Sequence, residues 1–248
     1  MARPAEAETA RSEAARLTAG LRAALALQTV TQRTSGPAAS SVRRFFARQA
    51  DAAAARVLGQ FRLLGEVKAT PGEVIPAADA EVLIRALLPH RRRAALMASA
   101  IAAELVKMPA LTDADAALRQ MLARGGDRIR RINANTRDAV RRTLDQGMTD
   151  QLTDRALAAR VRQVVRETYT GRANAIARTE MALAEQAAAH ERYAAAGIQK
   201  VRILDGPECG WTSHDDPDLA NGSTRTMAEA EAQPLSHPNC RRASVPVI

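Results

Sequence analysis

The sequence predicts a mainly α-helical protein, in which long, alanine-rich helices form an elongated bundle before a small C-terminal α+β module with many turns and a short β-sheet. Hydrophobic residues make up 46% of the 248 residues whereas aromatic residues make up only 2%. Alanine supplies much of the difference, and it has the highest helix propensity and little side-chain volume. Apolar residues also recur at helical spacing up to about residue 197, after which glycine, proline and aspartate become frequent.

The first part of the chain predicts two amphipathic helices. The N-terminal apolar residues lie on one helical stripe until Gly36-Pro37, where we expect a break. A second helix is expected to begin at Ser40 or Ser41, since a serine hydroxyl suits the N-cap position, and to continue to Leu64. Phenylalanines lie on its apolar face and arginines on the opposite face.

A connector with glycine and proline is expected from Gly65 to Pro76. Helical spacing resumes near Asp79, and the helix must bend or restart at Pro89 because proline removes a backbone donor. The helix should stop before Pro109.

Two further helices follow. Thr112 and Asp115 resemble a capping box that opens a short helix, which Gly125-Gly126 closes. The next stretch has the clearest helical pattern, and we expect Gly147 to end it.

The last two predicted helices are followed by a segment with the pattern of a β-strand. One helix follows Thr153, and another runs from Thr170 to about Ala196, where Gly197 terminates it. Charged and apolar residues then alternate over 200–203, which is the period of a β-strand.

Composition excludes several classes of protein. No apolar run of about 20 residues is present, so no transmembrane helix is expected. The N-terminus lacks the apolar stretch of a signal peptide. Two cysteines make no disulfide framework, and we expect a protein made and kept in a reducing cytoplasm.

The net charge of +9 favours contact with a polyanion. Arginine far outnumbers lysine, and its guanidinium group binds phosphate through two hydrogen bonds. A high-GC coding bias with simply solvated charges is the alternative. No aromatic residues are interleaved for stacking on single strands, so duplex phosphates are the expected target. The candidate contacts are Arg91, Arg92, Arg93, Arg128, Arg131, Arg137, Arg141 and Arg142.

Four potential metal ligands lie in the C-terminal module as two close pairs, Cys209 with His214 and His237 with Cys240. Two such pairs can surround a structural zinc ion, which would stabilise a small module with few apolar residues. Alternatively, the thiols are small buried groups and His237 supports the turn before Pro238. Asp205 opens an aspartate-rich segment that we interpret as turns rather than as a cation site.

A polar motif, Arg178-Thr179-Glu180, lies within the last long helix. Thr179 and Glu180 are close to its apolar stripe, and a carboxylate there needs a partner. Arg178 or an arginine of a preceding helix can supply a structural ion pair. A general base is the functional alternative, but no nucleophile or second acid lies at a helical spacing from Glu180. No phosphate-binding loop, hydrolase elbow or zinc-protease motif occurs, so no catalytic residue is expected.

The order and spacing of several short motifs form a pattern: Ile176-Ala177-Arg178-Thr179-Glu180, Tyr193, Gly197-Ile198, Asp205, Cys209, Gly222 and His237-Pro238-Asn239-Cys240-Arg241. This pattern resembles the MuF-like phage head-morphogenesis family, in a variant similar to those of actinobacterial phages, over roughly residues 127 to 248. Two family cysteines are replaced here by Thr212 and Arg242, so a four-cysteine site is impossible. Zinc binding would then require His214 and His237.

The resemblance implies a bacteriophage minor capsid protein of few copies, made in the host cytoplasm and enclosed in the virion near the portal. Its expected partners are the portal protein, the major capsid protein or both, and packaged double-stranded DNA, with no membrane and no small-molecule substrate. It would assist head assembly, DNA packaging or delivery, with no cofactor or with one structural zinc.

The expected domains are 1–126, a helical region for portal or capsid docking; 127–197, the helical part of a MuF-like domain; and 198–248, its β- and turn-rich module. Two alternatives stay open. One is a cytoplasmic nucleic-acid-binding protein with a C-terminal zinc module, and the other is a metal-dependent hydrolase using the segment 205–240.

Overall fold

The structure is a computed structural model and describes residues 4–64, 70–205 and 220–248. In these ranges the fold is mainly α-helical with a small antiparallel sheet near the C-terminus, which confirms the predicted fold class. The elements are α1 (Pro4–Leu64), α2 (Pro71–Val74), α3 (Asp79–Val106), α4 (Ala116–Arg124), α5 (Gly126–Thr149), α6 (Asp154–Thr170), α7 (Ala173–Ala195), β1 (Lys200–Leu204), β2 (Thr224–Thr226), α8 (Met227–Ala232) and β3 (Ala243–Pro246). None of the helices in the described ranges combines the length and apolar composition of a membrane span.

The predicted break at Gly36-Pro37 is wrong, because α1 continues through Pro37. An internal proline costs a helix about 3 kcal/mol. The hydroxyl of Thr34 donates to the carbonyl of Val30 at 2.7 Å in the turn before the proline. Val30 and Val42, before and after it, are both fully buried, and burial of each such side chain contributes about 1.5–3 kcal/mol. Burial on both sides therefore outweighs the local cost.

Several predicted helix ends are confirmed. The predicted capping box is present only in part, because the side chain of Asp115 accepts from the backbone N–H and the hydroxyl of Thr112 while α4 begins at Ala116. Thr153 caps α6 by accepting from the backbone N–H of Ala156 at 3.3 Å. Gly197 follows α7 with a φ of +74°, a conformation that glycine adopts without strain.

Gly147 does not end its helix, contrary to the prediction, since α5 extends to Thr149. A Cβ atom at position 147 would lie 2.4 Å from Cδ1 of Leu157, a buried residue of α6. The glycine therefore permits a close approach of α5 and α6 rather than a change of chain direction.

The chain divides into two compact units, each built from separate stretches. The terminal unit comprises Met1–Ser35, His90–Leu122 and Arg178–Ile248, and the central unit comprises Gly36–Pro89 and Ala123–Ala177. The consecutive domains 1–126, 127–197 and 198–248 stay a prediction.

The core of the central unit consists largely of alanine, valine and leucine from α1, α2, α5 and α6. Phe45 and Phe46 of the predicted phenylalanine face are buried, and Phe61 is half-buried against this core. The ring of Phe46 stacks on Tyr169 with 4.2 Å between centroids. A polar group is also enclosed, where the Gln49 amide donates to Asn133 at 2.9 Å and to Asp79 at 3.1 Å.

In the terminal unit the three strands form an antiparallel sheet in the order β2-β1-β3. Val201 and Ile203 of β1 are buried, as their alternation with charged residues predicts. The hydroxyl of Tyr193 in α7 donates to the carbonyl of Ser244 in β3 at 3.1 Å, so α7 packs against the sheet. The described part of the C-terminal module is thus folded onto the helix that carries the Arg178-Thr179-Glu180 motif.

Candidate functional site

The candidate site lies along α7, in the terminal unit. Between residues 179 and 190 every residue of α7 is buried except Leu183 and Ala187, which are half-buried. The buried set includes five polar side chains: Thr179, Glu180, Glu185, Gln186 and His190. Polar groups removed from water in this way need partners within the protein.

Glu180 forms an ion pair with Arg91 of α3. Its Oε2 atom lies 3.8 Å from Nε of Arg91, and the two side chains are 1% and 4% exposed. Nη1 of Arg91 also donates to the carbonyl of Leu122 at 3.0 Å. Burial lowers the pKa of Arg91, and the neighbouring Glu180 carboxylate partly restores it. The structural ion pair expected for Glu180 is confirmed, and an arginine of a preceding helix supplies it.

This position removes Arg91 from the predicted polyanion surface, because a guanidinium group that is almost fully buried cannot reach a phosphate backbone. The neighbouring residues differ from it. Arg92 is exposed and pairs with the carboxylate of Asp113, while Arg93 is exposed.

Thr179 contacts the C-terminal module directly. Its hydroxyl oxygen accepts a hydrogen bond from the backbone N–H of Asn239 at 2.8 Å. Asn239 has a φ of +71°, in a turn closed by the N–H of Cys240 donating to the carbonyl of His237 at 3.2 Å. Asparagine tolerates this left-handed conformation better than most residues. The His-Pro-Asn-Cys turn is thereby attached to α7.

Asp205 and Arg242 make a second buried ion pair within the module. Nε of Arg242 lies 2.9 Å from Oδ1 of Asp205, Nη2 lies 3.3 Å from Oδ2, and the side chains are 0% and 5% exposed. The same guanidinium contacts the hydroxyl of Ser236 and the carbonyl of Gln233, and the Gln186 amide donates to the Arg242 carbonyl at 2.7 Å. One arginine therefore joins the end of β1, the segment before β3, and α7.

Glu185 is enclosed completely and accepts a hydrogen bond from the hydroxyl of Thr31 in α1. Burial raises the pKa of Glu185 well above its usual value, and the Thr31 hydrogen bond opposes that shift in part. Burial also lowers the pKa of His190 to about 4 and raises the pKa of Tyr193, which the charge of Glu185 raises further. Burial therefore favours the uncharged forms of Glu185 and His190.

The predicted zinc ligands fall partly outside the described residues. Cys209 and His214 belong to the undescribed part of the chain. Nδ1 of His237 lies 2.7 Å from the carbonyl of Pro238, and Cys240 is buried. Within the ranges that the structure describes, no three His, Cys, Asp or Glu side chains are grouped to hold a metal ion.

The predicted arginine contacts on α5 belong to the central unit. Arg131, Arg141 and Arg142 are exposed, whereas Arg128 and Arg137 are half-buried. Arg130, on the same helix, pairs with Glu81 at 2.9 Å and Asp127 at 2.8 Å.

The sequence interpretation missed Arg242, Glu185 and His190. It treated α7 as amphipathic, with one apolar stripe, although its alanine-rich sequence between Glu180 and Glu191 contains few charges. A helix that is apolar nearly all round is a buried one, and this composition was the available signal.

Taken together, the polar side chains of α7 join α1, α3 and the C-terminal module from positions closed to solvent. Such an arrangement positions segments of the chain. Comparison with protein-family models, with curated proteins and with solved structures gives no match.

Proposed function

We propose that the protein is a bacteriophage minor head protein of the MuF-like type, enclosed in the capsid near the portal, that assists head assembly and the packaging or delivery of DNA. The observation that carries this proposal is that the motif residues join segments of the chain to one another. Thr179, Glu180 and Asp205 are each buried and engaged in contacts between segments of the chain. Side chains used in this way favour an architectural role over one that binds a dissolved substrate.

The basic residues favour contact with packaged double-stranded DNA. Arg131, Arg141 and Arg142 are exposed along α5, and phosphate contacts need positive charge without any base-reading pattern. The portal protein, the major capsid protein or both are the proposed protein partners.

A salt titration of duplex binding tests the DNA contact. Replacing Arg131, Arg141 and Arg142 with alanine should reduce the slope of log K against log salt by roughly 2.7, since each phosphate contact contributes about 0.9. The matched control replaces Arg130, Arg160 and Arg162 with alanine. These arginines already pair with carboxylates, and their replacement removes the same formal charge as the first triple variant. Equal changes in slope for the two triple variants would attribute binding to net charge rather than to this face of α5.

The location is tested by mass spectrometry of purified virions and of procapsids. We expect the protein in both, at low copy relative to the major capsid protein. Its presence in procapsids with absence from virions would instead indicate an assembly factor that leaves the head, and absence from both would overturn the proposal.

A further inference from the structure

The helix α1 contributes to both compact units. Its first part, within Met1–Ser35, belongs to the terminal unit, and the chain from Gly36 onward belongs to the central unit. We call the described residues of the first part, 4–35, the strap. The strap contacts α7 through Thr31 and β1 through Gln28. One continuous helix is therefore held by two separate sets of contacts.

The helix is weakened where the strap ends. Pro37 has no backbone N–H, so the carbonyl of Arg33 lacks its usual helical donor. The hydroxyls of Thr34 and Ser35 donate to carbonyls of the preceding turn at 2.7 and 3.2 Å, and such bonds favour bending. Nothing lies within 4 Å of a Cβ position at Gly36, so packing does not require a glycine there. Prolines and Gly/Ser pairs are the usual positions of bends in helices.

The strap is also weakly anchored. Every residue from 11 to 19 is exposed. The hydrogen bond from Arg16 to the carbonyl of Ile248 is 3.4 Å long. That from Gln28 to the carbonyl of Leu204 is 3.5 Å long. The remainder of α1 buries two phenylalanines and two valines besides its alanines, and low burial in comparison is typical of segments that open locally. The buried apolar side chains of the strap are Ala23, Ala24, Leu27 and Val30.

The end of the strap covers a buried acid of α7. The hydroxyl of Thr31 donates to Oε2 of Glu185, which is 1% exposed. Oε1 of Glu185 has no hydrogen-bond partner among the residues that the structure describes. A polar atom closed off from water without a partner is costly, and movement of the strap away from α7 would let water reach it. The enclosed carboxyl therefore offsets part of the stability that the apolar contacts of the strap supply.

We propose that the strap is a conformational device. Residues 4–35 detach together from α7 and β1 by bending of α1 at Ser35-Gly36-Pro37, while the rest of α1 stays in the core of the central unit. Detachment uncovers the face of α7 that carries Glu185. The inference is independent of the proposed function, because it follows from the contacts and composition of α1.

Native-state labelling of buried cysteines tests the strap in the full chain. One chain carries both Val30→Cys and Val57→Cys, two buried positions on either side of the bend. A thiol reagent labels each cysteine only when it becomes exposed, and peptide mass spectrometry assigns the labelled position. Position 30 should be labelled roughly tenfold faster or more, because strap opening exposes it whereas position 57 needs unfolding of the central unit. Equal rates would mean that α1 opens as a whole, which would overturn the proposal.

Replacement of the bending residues tests the mechanism. Gly36→Ala combined with Pro37→Ala restores a regular helix at two exposed positions and should lower the ratio of the two labelling rates severalfold. The ratio is informative because a change in overall stability alters both rates together. Gly59→Ala, also in α1 with nothing near its Cβ position, is the control and should not lower the ratio. A ratio that the double replacement leaves unchanged would show that α1 does not bend there, and the proposal would fail.

The contact with Glu185 has its own pair of variants. Thr31→Val removes the hydrogen bond to Glu185 and should raise the labelling rate at position 30 severalfold. Thr29→Val is the matched control, since the Thr29 hydroxyl donates to the carbonyl of Leu25 within α1, and it should have little effect. Equal effects of the two variants would contradict an anchoring contact at Thr31.

Fraying of the helix from its N-terminus is the alternative to detachment as one body. Ala23→Cys, at a buried position near the other end of the anchored part, should be labelled as fast as Val30→Cys. Labelling rates that fall steadily from position 23 to position 30 would indicate fraying and would count against the strap.

Discussion

At the scale of the residue, His190 makes the stability of the terminal unit sensitive to acid. The folded protein holds the pKa of His190 at about 4 because the ring is buried, against 6.5 for an exposed histidine. Between pH 6.5 and pH 4 the unfolded chain binds a proton that the folded chain does not. The stability associated with the neutral ring is therefore fully present above pH 6.5 and is lost as the pH falls toward 4.

We expect His190→Gln to remove this part of the pH dependence. The free energy of unfolding of the unmodified protein should fall by about 3 kcal/mol more than that of the variant between pH 7 and pH 4. Chemical denaturation at a series of pH values measures both. Gln32→His, which places a histidine on the exposed face of α1, is the control and should follow the parent curve. Parallel curves for His190→Gln and the parent protein would contradict the expectation.

Glu185 acts with the opposite sign. Its folded pKa is raised, so the stability associated with its protonated form is present at low pH and is lost as the pH rises through that pKa. Both residues lie in the buried part of α7. His190 lowers the stability of the protein at acid pH, and Glu185 lowers it at alkaline pH. This opposition follows from burial of each group, which is the main cause of both pKa shifts.

At the scale of the element, Gly147 of α5 leaves room for the buried Leu157 side chain of α6. Replacing a helical glycine with alanine ordinarily stabilises a helix by about 1 kcal/mol. At Gly147 the added Cβ would lie 2.4 Å from Cδ1 of the buried Leu157, so a side chain or a helix must move.

We expect Gly147→Ala to destabilise the protein by about 1–3 kcal/mol, the usual cost of overpacking. Gly59→Ala in α1 is the matched control, because nothing lies within 4 Å of its Cβ position, and it should be neutral or stabilising. Thermal and denaturant unfolding compare the two variants. Similar stabilisation by both would mean that α5 and α6 have room to separate without loss.

The helices themselves could be predicted from the sequence to a large extent, because their signals are local. Thr153 caps α6 and Gly197 follows the end of α7, each for a reason contained within a few neighbouring residues. The break expected at Pro37 was wrong because the burial that stabilises α1 on both sides of it comes from distant segments.

The candidate site could be predicted only in part, for the same reason. A partner for Glu180 was expected from the need to neutralise a carboxylate near an apolar stripe, but the choice of Arg91 over Arg92 depends on which face of α3 is covered. The pairing of Arg242 with Asp205 joins residues far apart in sequence, and neither residue has a local pattern that indicates the other.

At the scale of the whole molecule, three separate stretches of the chain form the terminal unit, and buried polar contacts lie where these stretches meet. The pair Asp205 and Arg242 closes the last of these stretches. Removing one partner from a buried ion pair typically costs 3–5 kcal/mol, because the remaining charge is left unpaired.

We expect Asp205→Asn and Arg242→Gln each to destabilise the protein by about 3 kcal/mol, and the double variant to lose clearly less than the sum, because removing both charges leaves neither one unpaired. Amide hydrogen exchange should accelerate in β1 and β3 while α6, in the central unit, keeps its protection. The exposed pair Asp150 and Arg160 provides the matched control, and its loss should cost less than about 1 kcal/mol. If the two single effects add fully, or if α6 loses protection together with the sheet, the ion pair does not fasten the C-terminal module in the way that its geometry indicates.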